Sequence, residues 1–164
     1  MMSVVFLSGP IGVGKTTLGR AVAASLGAAF LDGDDFAAPD RPWYASSLST
    51  SRGILEAAQG ALPKHRFVIV AYPLRCASYV YFRRRLSEAG HRTIFVTLRA
   101  SYASIVRADR GRRLSRAEMA RCAEMIAQGY AERPFSDLII ETDRVDFNET
   151  VDNIIARLKP LLAV

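Results

Sequence analysis

The sequence predicts an α/β fold, three layers deep, with a five-stranded parallel sheet between helices. Five short apolar runs, at 4–7, 29–31, 67–71, 93–98 and 138–140, lack the polar alternation of a half-exposed strand. Segments with helical spacing separate them. Strands that are apolar on both faces and joined through helices call for a parallel sheet covered on both sides. Ligands then belong at the carboxyl ends of the strands.

Each element has its own signal. The first strand stops at Gly9-Pro10. A helix opening at about Lys15 carries Leu18, Ala21, Val22 and Leu26 on one stripe, and Gly27 stands where a C-cap glycine belongs. The short strand at 29–31 runs into Asp32-Gly33-Asp34-Asp35. Ile54, Leu55, Ala58 and Leu62 mark a second helix, opened by Arg52 and ended by Pro63, within a helical excursion over 37–62. The third strand leads to a helix over 77–89 that stops at Gly90. After the fourth strand, Ser115 and Glu118 have capping-box spacing, and Asp146 with Glu149 repeats it ahead of Val151, Ile154, Ile155 and Leu158. No repeat or linker divides the chain, and 164 residues fit a single domain.

Composition narrows the class further. Half the residues are apolar and 23% are charged, which supports a buried core and excludes wholesale disorder. No apolar run approaches the roughly 20 residues needed to span a bilayer. The first residues lack a positive region or a cleavage flank, so a cytoplasmic protein with no membrane partner is expected. Cys76 and Cys122 are too few for a disulfide framework and are expected to be reduced and structural.

The 22 basic and 16 acidic residues leave a net charge of +6. Because only Lys15, Lys64 and Lys159 are lysines, arginine carries the excess, and its planar fork suits phosphate and carboxylate oxygens. Anionic ligands are therefore expected. Arg83-Arg84-Arg85, with Tyr79 and Tyr81, is too short a cluster for a nucleic-acid groove and reads as an exposed helix face. His65 and His91 flank strands and read as surface residues.

Residues 9–16 read Gly-Pro-Ile-Gly-Val-Gly-Lys-Thr and match G-x-x-x-x-G-K-[ST] between a strand and a helix. The pattern arises by chance in about one chain in a few hundred of this length, and its placement makes chance rarer still. Such a loop wraps a polyphosphate with backbone N–H groups, and glycines let it approach closely. The nucleotide is expected on Gly9, Gly12, Val13, Gly14, Lys15, Thr16 and Thr17. Lys15 should reach the β- and γ-phosphates, Thr16 should offer its hydroxyl to Mg²⁺, and the helix N-terminus should face the phosphates.

Asp32, Asp34 and Asp35 put carboxylates on the same sheet edge as the loop. One can hold Mg²⁺ through water and another can accept a proton from a substrate hydroxyl. A solvated Asp-Gly turn is the ordinary alternative. The third strand ends without a carboxylate, so this cluster is the main source.

Together, the loop at 9–16, the pair Asp32 and Asp34, and the arginine-rich stretch 107–114 resemble the phosphate loop, D-x-D motif and lid of the shikimate kinase and gluconate kinase group. That group belongs to the P-loop kinases related to nucleoside monophosphate kinases. The resemblance implies a P-loop kinase fold, with the 37–62 excursion binding an acceptor and a lid at 107–115. It implies ATP and Mg²⁺ as cofactors and a small-molecule hydroxyl acceptor, a sugar acid or polyol.

By the same resemblance Asp32 would help hold the metal and Asp34 would meet the acceptor hydroxyl, with Asp35 as its neighbouring competitor. Arg107 or Arg110 would lie against adenine, Arg112 would reach the transferring phosphate, and Thr142 lies in a segment like the loop that borders adenine. A solvated helix end is the ordinary reading of the lid arginines. Arg52 and Arg75 are candidates for substrate binding or for ordinary surface pairing, and Trp43 and Tyr44 for the acceptor pocket.

The acceptor side departs from both named groups. Shikimate kinases have glycines where this chain has Ala71-Tyr72-Pro73-Leu74-Arg75, and an arginine where it has Gln128. Gluconate kinases follow their aspartates with a histidine-proline pair, where this chain has Phe36-Ala37-Ala38-Pro39. Nucleotide kinases and antibiotic phosphotransferases share the outline, and a slowly hydrolysing regulatory module is the alternative outside enzymes. A monomer or weak homodimer without nucleic acid is expected.

Overall fold

The computed structural model describes residues 1–38, 40–107 and 113–163, with residues 43–45 described by backbone alone. Among them, strands β1 (Ser3–Ser8), β2 (Ala29–Asp32), β3 (Phe67–Ala71), β4 (Arg92–Arg99) and β5 (Leu138–Glu141) form one parallel sheet in the order β2-β3-β1-β4-β5. Every expected strand is present, and β1 is buried along its whole length.

Alternation along the strands sorts the core into two layers. Val5, Leu7, Ile69, Ile94, Val96 and Leu98 face α1 (Lys15–Leu26), α5 (Arg116–Ala127) and α6 (Phe147–Leu162). Val4, Phe6, Val68, Val70 and Phe95 face α2 (Trp43–Ala61) and α3 (Cys76–Glu88). Phe6 lies between Phe82 and Phe95, with centroid separations of 4.6 and 5.3 Å. The expected caps form: Ser115 accepts from Glu118 N at 3.1 Å and Asp146 from Glu149 N at 2.8 Å.

Four features differ from the sequence reading. Helix α2 opens at Trp43, well before the apolar stripe that announced it. Its first half is rich in small hydroxyl residues that bond to backbone: Ser49 Oγ donates to Ser46 O at 2.9 Å, and the buried Thr50 donates through Oγ1 to Phe36 O at 3.3 Å. A short helix, α4 (Tyr102–Ile105), capped by Ser101, was not expected and follows β4. The histidines are half-buried rather than superficial, and His91 Nδ1 has no hydrogen-bond partner among the described residues. Cys122 is buried as expected, but Cys76 is exposed in the first turn of α3 and packs no core.

Candidate active site

The phosphate loop joins β1 to α1 at the carboxyl edge of the sheet, because its glycines adopt conformations closed to other residues. Gly9 has φ 151°, and a Cβ there would lie 2.6 Å from Leu98 O. Gly12 has φ 82°, and a Cβ there would lie 2.8 Å from Ile105 Cγ2 and 3.0 Å from Leu114 Cδ1. The loop borders a cavity of about 940 Å³ whose walls include residues 11–18, Asp32, Asp34, Ser104, Arg107, Thr142, Asp143, Val145 and Phe147.

Within this cavity Thr16 Oγ1 donates to Asp32 Oδ2 at 3.0 Å, and Asp34 N donates to Asp32 Oδ1 at 3.0 Å. One carboxylate thus caps the 3-10 turn Gly33–Phe36 and faces the threonine of the phosphate loop. A hydroxyl and a carboxylate are the hard oxygen donors that Mg²⁺ takes. Among the described residues no three His, Cys, Asp or Glu side chains converge as a metal cage. Lys15 Nζ donates to Gly9 O at 2.9 Å and Pro10 O at 2.8 Å, so its ammonium spans the loop it serves.

Asp34 is exposed and lines the cavity, whereas Asp35, also exposed, is not among the lining residues. Arg107 lines it beside α4. Thr142 lines it too, but its hydroxyl donates to Val13 O at 3.2 Å, so it braces the phosphate loop from β5. Asp143 Oδ2 accepts from Ser101 N at 3.0 Å and ties the β5 edge to α4. Burial works to raise the Asp143 carboxyl pKa, yet the bonds from Ser101, Ser104 and its own amide hold it below the ordinary value.

Arg52 is not brought to this cavity. It sits exposed on α2 and lines a separate groove with Leu55, Tyr81, Arg85 and Glu88, because helical phase turns it toward α3. Arg75 is half-buried at the N-cap of α3, outside the cavity wall but within electrostatic reach of Tyr72. Gln128 ends α5 and donates to Glu124 at 3.1 Å. The arginine of that region is Arg133, whose Nε donates to Leu74 O at 2.9 Å and whose guanidinium stacks 4.0 Å over Tyr130. Arg110 and Arg112 lie outside the described residues, as do the side chains of Trp43 and Tyr44.

Sequence reasoning missed Val145 and Phe147, apolar side chains 46% and 47% exposed that line the cavity. Only their position after the last strand pointed to them.

Residues 5–70, from β1 through most of β3, match the family model of ATPases associated with various cellular activities (AAA). Among curated proteins no sequence matches. The chain is similar to a gluconokinase from Sinorhizobium meliloti 1021, with a TM-score of 0.70 and 20% identity over 99% of this chain and 94% of that one. A shikimate kinase from Acinetobacter baumannii, in complex with shikimate, gives 0.64 and 19% over 98% and 94%. A tunicamycin resistance protein from Deinococcus radiodurans gives 0.68 and 16% over 96% of each chain. The fold is that of the P-loop kinases, as the motifs implied.

Proposed function

We propose that this protein is an ATP- and Mg²⁺-dependent phosphotransferase that moves the γ-phosphoryl group to a hydroxyl of a small metabolite, a sugar acid or polyol. The observation that carries this reading is the Thr16–Asp32 hydrogen bond with Asp34 on the wall of the same cavity. It puts the hydroxyl and carboxylate suited to a magnesium ion beside a second carboxylate suited to an acceptor.

The backbone N–H groups of the loop and the N-terminus of α1 cradle the phosphates. Lys15 supplies positive charge there, and Asp34 accepts the proton of the attacking alcohol. Thr16 and Asp32 are the residues that would hold Mg²⁺, which when bound neutralises charge on the phosphate oxygens. Arg107, with Arg110 and Arg112, is proposed to close on the nucleotide, and Arg75 to act on the acceptor side. The proposed setting is the cytoplasm, with no nucleic-acid partner and a monomer or weak homodimer as the working unit.

The test is ADP formation from ATP and Mg²⁺ with pooled hydroxyl acceptors. Strong acceptor-dependent release is expected. Slow release indifferent to every acceptor contradicts the proposal and leaves the regulatory module. Turnover confined to nucleoside monophosphates or antibiotics moves the acceptor class.

A further inference from the structure

Gly14 joins the phosphate loop to α1 with φ 108°, in the left-handed region that glycine enters without strain. A peptide unit followed by glycine can turn over, as the pair of type I and type II turns illustrates, because glycine accepts either sign of φ. The residues of the loop therefore leave the orientation of the Val13–Gly14 peptide open. That orientation matters to an anion, because one side of the peptide offers an N–H and the other a carbonyl oxygen.

A residue from the far end of the chain closes the choice. Thr142 Oγ1 donates to Val13 O at 3.2 Å, with Arg99 O farther off at 3.5 Å. Thr142 is buried, and its own N–H donates to Arg99 O at 2.8 Å. The next residue, Asp143, accepts from Ser101 N, so the segment after β5 is tied to the end of β4 and to the cap of α4. Val13 is buried too, and its N–H donates to Pro10 O at 3.3 Å. The Val13–Gly14 peptide is trans, so its C=O and N–H point opposite ways. With the carbonyl turned to Thr142, the Gly14 N–H is turned away from it. Gly14 is a residue of the cavity wall and caps α1 without a side-chain hydrogen bond.

We propose that Thr142 is a positioning residue of the phosphate site, its hydroxyl holding the Val13 carbonyl back and so presenting the Gly14 N–H to a phosphate oxygen of the nucleotide. The inference rests on nucleotide binding by the loop, as in the function proposed above, and on no particular acceptor. Without the hydroxyl, the Val13 carbonyl is left buried and unpartnered, which favours its turning over toward water. The turned peptide sets a carbonyl oxygen against the phosphates and withdraws a donor from them.

Val13–Gly14 is the single Val-Gly step in the sequence. Protein with ¹³C at valine carbonyls and ¹⁵N at glycine therefore gives one carbonyl-to-amide NMR signal, and it reports on this peptide alone. That signal is followed through a titration with MgADP, and the affinity is read by calorimetry. In wild type the Gly14 amide should shift on binding. Thr142→Val keeps the side-chain shape and removes the hydroxyl. The Val13 carbonyl carbon should then move upfield in the free protein, and the Kd for MgADP should rise roughly tenfold, the scale of one lost hydrogen bond. Thr142→Ser should restore both to near the wild-type values.

An unchanged Kd in folded Thr142→Val overturns the proposal. So does an equal loss in Thr142→Ser, which assigns the effect to packing of the methyl group. Where Thr142→Val does not fold, wild type and Thr142→Ser decide: a Gly14 amide indifferent to bound MgADP overturns the proposal. Wild type that binds no MgADP defeats the proposed function and this inference together. Acceptor turnover enters none of these readings, so a failed kinase assay is distinguished from a failed role for Thr142.

Discussion

Asp32 and Asp34 are two residues apart and differently occupied. Asp32 bonds to Thr16 through one oxygen and to the Asp34 amide through the other, and Asp34 is an exposed residue on the cavity wall. Asp34→Asn keeps the shape and removes the base, so kcat should fall roughly 10²–10⁴-fold with ATP affinity nearly intact. Asp32→Asn should instead alter the Mg²⁺ concentration needed for half-maximal rate. Transfer lost in Asp35→Asn and kept in Asp34→Asn shifts the assignment by one residue. Lys15→Ala removes the cation from the loop and should cost about 10³-fold or more in turnover. A folded Lys15→Ala protein with normal kinetics contradicts the phosphate-loop assignment.

Two elements carry the arginines proposed for the two ligands. Helix α4 leads from β4 to Arg107 on the cavity wall, and the start of α3 holds Arg75 beside Tyr72. Arg107→Ala should therefore raise the KM for ATP, and Arg75→Ala the KM for the acceptor. The reverse pattern in steady-state kinetics inverts the orientation of the site.

Helix α4 is tethered by Asp143, whose carboxyl pKa is depressed in the folded state. A depressed carboxyl pKa stabilises the fold above the unfolded value of about 4, and the benefit is lost as pH falls through the folded value. Wild type should thus lose its stability advantage over Asp143→Asn below about pH 4, read from urea midpoints across pH. A constant difference down to the acid transition contradicts the tether.

For the molecule as a whole, the two thiols report on packing. Cys76 is exposed, while Cys122 is buried and burial pushes its thiol pKa up, against the pull of Lys15. One thiol should react with a disulfide reagent in the native protein and two in urea. Saturating ATP and Mg²⁺ should leave Cys76 accessible and raise the unfolding midpoint by mass action, about 2.7 kcal/mol at a hundred times Kd. A native count of two contradicts the packing of α5 on the sheet.

Much of this was legible in the order of residues. Uninterrupted apolar runs announce strands buried on both faces, helical spacing announces the covering layers, and the glycines at 9, 12 and 14 with Lys15 and Thr16 announce the phosphate loop. These signals are local, and each depends on residues within one turn or one strand. The exact start of α2 within the expected helical excursion was illegible because its serines and threonines carry no apolar stripe. Which groove Arg52 faces was not legible, because helical phase and the position of α3 decide it. The choice of Asp34 over Asp35 at the cavity, the bracing of Val13 by Thr142, and the meeting of Gly33 with Tyr72 join residues brought together by the sheet order. By itself the sequence determined the strands, most of the helices and the phosphate-binding chemistry. Only the tertiary structure decided which side chains share the cavity, because neighbours in a parallel sheet are set by crossovers and packing rather than by distance along the chain.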